Sequence, residues 1–196
     1  KGDYIYFDSH CLDRLFFLKG GYIKIGYIDD NGNEIIKEII NEGEVFGQFT
    51  LEKNNLNGEF AQAHKSDVSL CAFKIDDFEK LLKKKPEMAI EYSKQVGKKL
   101  RKTEFRLVNM LNKDVRSRLL SFFYHLVIQD GYDGSTASHD IDNFLTHDDI
   151  ARLIGSARQT VTTAINQLEE DGYIKITRRK ILVPDVKALQ KLVIVT

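Results

Sequence analysis

The chain has 196 residues, 42% of them hydrophobic and 30% charged, with 29 basic and 29 acidic side chains that leave no formal net charge. That length supports a real core in one or two domains, and that composition excludes a disordered chain. There is no signal-peptide pattern and no apolar run long enough to span a bilayer, and Cys11 and Cys71 are too few for a secreted disulfide framework, so a cytoplasmic protein free of membrane is expected.

Residues 1–80 read as short strands, within a first domain expected over 1–85. The apolar runs "LFFLKG", "GYIKIGYI", "EIIKEII" and "VSLCAFKI" are punctuated by Gly20-Gly21, Asp30-Asn31-Gly32, Asn41-Glu42-Gly43 and Asn54-Asn55. Tyr22 to Tyr27 alternates with period two, and "DDNG" carries hairpin-turn chemistry, which predicts a β-barrel or jelly-roll-like β-roll.

A helical regime begins at Asp76. "DDFEKLLKKK" reads as a short helix, and Pro86 suits the start of a long one over 86–112 that contains Gly97. Along it Ala89, Ser93, Val96, Leu100, Thr103, Leu107 and Met110 recur at spacings of four and three, the pattern of a heptad seam. Val96, Leu100, Thr103, Leu107 and Met110 are the expected dimer contacts; the competing reading packs this stripe on the chain's own roll. Asp114 can cap a further helix, "VRSRLLSFFYHLVIQ", with Leu119, Leu120, Phe123, Leu126 and Val127 on its apolar face. The boundary is therefore expected near 112–114, leaving 113–196 as a second domain.

In "LTHDDIARLIGSARQTVTTAINQLEEDGYI", Thr146 and Asp149 form an N-terminal cap pattern, Ile150, Ala151 and Ile154 face inward, and Gly155 stands where a left-handed residue turns the chain. A second helix near 158–171 buries Val161, Ile165 and Leu168. Its other face carries Arg158, Gln159, Thr162, Thr163 and Asn166, where an ordinary solvated helix carries Lys and Glu pairs. This is a helix-turn-helix whose second helix presents Arg158, Gln159, Thr160, Thr162 and Thr163 to the major groove of double-stranded DNA. Arg pairs bidentately with guanine, and Gln with adenine. The hairpin "YIKITRRKILV" follows, its tip residues Arg178, Arg179 and Lys180 suited to phosphates, and Thr146 is a further candidate contact. Residues 113–196 carry 11 basic and 11 acidic residues, so affinity must come from a local basic surface. Arg116 and Arg152 are candidates to add to it, and Glu169, Glu170 and Asp171 must face away.

The β-roll ending in "GEVFG", the long helix, "NKDVRSRLL", the "IGSARQTVTTAINQLEEDGYI" segment and a basic hairpin, in this order, resemble the Crp/Fnr family of bacterial transcription regulators. The likeness covers nearly the whole chain. The family's first helix and opening strand are missing, and the chain starts on Lys, which implies an incomplete N-terminus. The resemblance implies an α+β chain: a roll that senses a signal, a long dimerisation helix, and a winged helix-turn-helix domain whose recognition helix starts at Arg158. As partners it implies a second copy, a near-palindromic operator, RNA polymerase and a small-molecule effector. Members that read the catabolite-activator half-site have Arg, Glu and Arg where this chain has Arg158, Gln159 and Thr163, so that operator does not carry over. In cyclic-AMP-binding members an Arg-Ser pair holds the phosphate and a Glu holds the ribose. Gly58-Glu59 and Gln48 stand there, with only Thr103 matching, so an effector other than cyclic AMP is expected.

Cys11 and Cys71 cannot supply the four thiolates of an iron–sulfur cluster and read as small core hydrophobes, and His64 lacks a second haem ligand. No catalytic constellation and no cofactor site is identified. The alternative to a DNA-binding regulator is a ligand-binding module whose winged domain makes protein contacts.

Overall fold

The computed structural model describes residues 1–7, 13–47 and 58–195, with side chains to Val193. Contacts gather the chain into two units, Lys1–Lys102 and Thr103–Thr196.

The first unit is an antiparallel sheet of β1 (Tyr4–Phe7), β2 (Arg14–Ile28), β3 (Glu34–Ile40), β4 (Val45–Gly47) and β5 (Glu59–Lys74), in the order β1-β5-β2-β3 with β4 also on β2. Alternation directs one face inward, where Tyr6, Phe16, Leu18, Ile23, Ile25, Ile40, Phe46 and Ala61 form the core. The expected hairpin joins β2 to β3. Its turn is built by Asp29, whose carboxylate accepts from the Asn31 and Asn33 amides at 2.9 and 2.7 Å. Gly20-Gly21, read from sequence as a break between strands, instead lies inside β2 as a bulge. Gly21 has φ of 85°, and a Cβ there would stand 2.5 Å from the Asp67 carbonyl of the neighbouring strand. Cys71 is half-buried on β5 rather than sealed in the core; Cys11 lies outside the described residues.

Helix α1 (Ile75–Lys84) leads into α2 (Pro86–Asn112), as expected. The division between units falls at Lys102/Thr103, ahead of the boundary near 112–114. The physical reason is that α2 has two sets of attachments. Lys99 and Lys102 pair with Glu38 of β3 at 2.8 and 3.5 Å, whereas Phe105 packs edge-on against His125 of α3 (Val115–Gln129).

The second unit continues with β6 (His139–Asp142), α4 (His147–Ile154), α5 (Arg158–Glu170), β7 (Lys175–Ile176), β8 (Lys180–Val183) and α6 (Val186–Val195). Asp114 caps α3 by accepting from the Ser117 amide at 2.7 Å, and Leu119, Phe123 and Val127 are sealed. Ile150, Val161, Ile165, Leu168, Ile181 and Leu189 complete the core. Two elements were not visible in the pattern: β6, which makes the hairpin a three-stranded wing in the order β6-β8-β7, and α6.

Candidate nucleic-acid interface

The turn between α4 and α5 is fixed from both ends. Thr146 and Asp149 form a complete capping box: the Thr146 hydroxyl accepts from the Asp149 amide at 3.1 Å, and the Asp149 carboxylate accepts from the Thr146 amide at 2.8 Å. The Thr146 hydroxyl also donates to Asp149 at 2.7 Å, so its polar capacity serves the cap. At the other end Gly155 has φ of 66°, and Ser156 donates back to the Ala151 carbonyl at 2.9 Å. Two arginines close the last turn of α4. Arg118 donates to the Ile154 and Gly155 carbonyls at 2.8 and 3.1 Å, and Arg106 to the Arg152 carbonyl at 3.3 Å. Cations at a helix C-terminus offset its partial negative charge. Sequence reasoning missed this clamp, since both arginines lie more than 30 residues from their acceptors.

Helix α5 then exposes Arg158, Gln159, Thr160 and Thr163 on one side and buries Val161, Ala164, Ile165 and Leu168 on the other. Thr162 departs from the expectation. It is half-buried, and its hydroxyl lies 3.1 Å from Nδ1 of His147, tying α5 to α4. Ala157 at the N-cap offers no side-chain acceptor, so the first-turn amides of α5 suit a phosphate oxygen.

The wing tip is set by Thr177, whose amide and hydroxyl donate to the Lys180 carbonyl at 2.8 and 3.0 Å. Asn143 sews the wing to the approach of α4: its side-chain amide donates to the Thr177 carbonyl at 2.7 Å, and it accepts from the Leu145 amide at 3.0 Å. Arg178 and Arg179 are exposed and make no ion pair among the described residues. Lys180 differs from the expected phosphate contact. It pairs with Asp142 and Asp140 at 2.9 and 3.1 Å, and these bonds raise its ammonium pKa. The acids sit there because β6 runs beside β8, a pairing the sequence pattern did not reveal.

Nearby acids are neutralised or occupied. Asp171 pairs with Arg116 at 2.6 Å, Asp148 with Arg152 at 2.7 Å, and Glu169 accepts the Ile176 amide at 2.7 Å. Arg116 and Arg152 are thus committed to acids rather than added to the basic surface. What remains is a polar helix face with three cations, Arg158, Arg178 and Arg179, unpaired among the described residues. That arrangement suits base edges plus phosphates.

The roll positions set against a cyclic nucleotide are occupied differently. Glu59 is 2% exposed, and its carboxylate accepts from Tyr6 at 2.8 Å, Tyr27 at 3.0 Å and Lys37 at 2.6 Å. Burial, reinforced by Glu59, raises the Tyr6 phenol far above its ordinary pKa. Gly58 precedes Glu59 with φ of 70°, Gln48 lies outside the described residues, and Thr103 belongs to the other unit. His64 is half-buried on β5, and the described residues contain no cluster of three metal-ligating side chains. Among them no helix is long and apolar enough to cross a membrane.

Of the expected seam, Leu100 and Leu107 are 58% and 56% exposed, and Val96 and Thr103 are also exposed. Met110, 42% exposed, also meets the winged domain's own turn. Its methyl would stand 2.5 Å from a Cβ at Gly155, so it covers the turn of its own helix-turn-helix.

The chain matches two family models, a cyclic nucleotide-binding domain over residues 1–85 and a Crp-like helix-turn-helix domain over 117–192. It is 32% identical over 183 residues to a global nitrogen regulator of Nostoc sp., covering 91% of this chain and 80% of that one. A global nitrogen regulator of Synechocystis sp. is 30% identical over 188 residues, covering 95% and 83%. The structure of FixK2 from Bradyrhizobium japonicum superposes with a TM-score of 0.81 at 20% identity, over 98% of this chain and 93% of that one. The order of roll, long helix and winged domain, the polar face of α5 and these matches lead to one conclusion: the chain is a member of the Crp/Fnr family, a DNA-binding transcription regulator and not an enzyme.

Proposed function

We propose that this regulator reads a near-palindromic operator as a homodimer, with Arg158, Gln159, Thr160 and Thr163 addressing bases and Arg178 and Arg179 addressing phosphates. The observation that carries the reading is selective pairing. Lys180, Arg116 and Arg152 are tied to acids, whereas Arg158 on α5 and Arg178 and Arg179 at the wing tip have no acidic partner among the described residues. The dimer uses the exposed Val96, Leu100 and Leu107 of α2, and twofold symmetry places the half-sites about one helical turn apart. A second copy doubles the phosphate contacts and offsets the neutral charge of the domain. RNA polymerase is the remaining macromolecular partner that the family assignment suggests.

The effector is a small molecule other than cyclic AMP. A buried cyclic phosphate needs a forked cation, and Gly58 offers backbone alone. Beside it, the Glu59 carboxylate is held by Lys37 and two tyrosines. Titration calorimetry with cyclic AMP and cyclic GMP gives no heat on this account; micromolar binding at one site per subunit overturns it.

Operator selection from random duplexes tests the base reading. Arg158→Ala costs about 1–3 kcal/mol on the selected operator and relaxes preference at one guanine per half-site. Equal affinity of parent and variant would mean that α5 is not the reading helix. A winged domain that contacts protein instead would show no steep salt dependence with DNA.

A further inference from the structure

Thr163 lies on the exposed face of α5, one turn beyond Gln159, and its hydroxyl donates to the Gln159 carbonyl at 3.1 Å. A threonine hydroxyl carries a single proton, so this bond commits its donor to the helix backbone. What Thr163 keeps for a groove is its γ-methyl, together with lone pairs on an oxygen already turned back along the helix. An exposed amide stands one turn away in Gln159, and it matches the donor and acceptor edge of adenine better than those lone pairs do. The methyl has a different natural target. Thymine alone among the bases puts a C5-methyl into the major groove, and two methyl groups in contact need no hydrogen-bond partner. The nearby Thr162 is half-buried and engaged with His147, so it is not placed to compete for that contact.

We propose that Thr163 is a specificity-determining residue that reads a thymine C5-methyl in each half-site. The inference rests on α5 lying in the major groove, and it assigns to Thr163 an apolar readout rather than a hydrogen bond. It also gives chemical content to the position: an uncharged methyl reader selects thymine where a guanidinium would select guanine.

The test uses the full chain and the operator that the parent selects, with each thymine replaced in turn by deoxyuridine, which differs only in lacking the methyl. At one position per half-site, the substitution weakens parent binding by about four-fold, the value of one buried methyl-sized apolar contact. Replacing both symmetry-related thymines multiplies the effect to about 15-fold. Thr163→Ser keeps the hydroxyl and its bond to Gln159 but lacks the methyl, and it binds the thymine and deoxyuridine operators equally at that position. Thr163→Val keeps a methyl without the hydroxyl and retains the discrimination. The proposal is overturned if Thr163→Ser discriminates as strongly as the parent at every thymine, or if Thr163→Val loses the discrimination. A parent that selects no duplex at all would instead remove the DNA reading, and this proposal with it.

Discussion

The roll and the winged domain treat their charges in opposite ways. Inside the roll, Lys24 pairs with Glu34 at 2.6 Å, Lys37 with Glu59 at 2.6 Å, and Lys99 and Lys102 with Glu38. In the winged domain, pairing is partial. Lys180, Arg116 and Arg152 have acidic partners, while Arg158, Arg178 and Arg179 have none among the described residues. The pairs in the roll each draw at least one partner out of solvent, and they tie strand to strand or strand to helix. The unpaired cations are exposed, where only an external anion can complete them. A domain of zero net charge can therefore bind a polyanion, because what matters is which cations stay open on one face.

The largest effect is expected at the proposed dimer contact. On the proposed α2 dimer, Leu100→Glu would set an unpaired carboxylate against its symmetry mate, and the cost of desolvating both is expected to dissociate the pair. Sedimentation then reports a monomer at micromolar concentration. Operator affinity falls by more than about 100-fold, because half the phosphate contacts are gone. A variant that remains dimeric would place the interface elsewhere.

The roll comes next. Glu59→Ala leaves the buried Tyr6 hydroxyl and the Lys37 ammonium without their shared acceptor. Unfolding free energy should fall by about 3 kcal/mol, read by urea denaturation, with the helix-turn-helix surface unchanged. A stable variant would mean that the cluster contributes little to the fold.

The smallest roll effect is pH-dependent. Burial works to raise the Glu38 carboxyl, yet Lys99 and Lys102 outweigh it and hold its pKa below the ordinary value. A lowered folded pKa contributes stability above the unfolded value of about 4.3, and that contribution is lost as pH falls through the folded value. Relative to the parent, Glu38→Gln should be less stable by about 2 kcal/mol at pH 7. The gap should start to narrow as pH falls below the unfolded value of about 4.3 and close once pH has passed the lowered folded value. A gap that persists in acid would remove the ionic link from the account.

Local signals in the sequence specified the reading head well. The Thr146–Asp149 cap, the left-handed Gly155 and the apolar stripe of α5 are all encoded within a few residues of one another, and all stand as read. What escaped depends on partners distant in the chain. Lys180 meets acids some 40 residues earlier only because β6 pairs with β8, and "HDID" holds one apolar residue, too few to announce a strand. Thr162 faces His147 across the turn, Met110 covers Gly155, and Arg118 reaches Ile154, each a tertiary contact without local signature. Gly20-Gly21 misled for the opposite reason. The dipeptide has turn chemistry, but the cross-strand approach of Asp67 uses it for a bulge within a single long strand.

We propose that the cations of the wing stand open because DNA completes them. The salt dependence of operator binding, compared between the parent and the Arg178→Ala/Arg179→Ala double variant, tests this. Each phosphate contact contributes about 0.9 to the slope of log K against log salt, so a dimer that loses both arginines in each subunit should show a slope shallower by roughly 3–4. Preference among operator sequences should stay as in the parent, because phosphate contacts carry no base information. A double variant with the parent's slope would contradict the account.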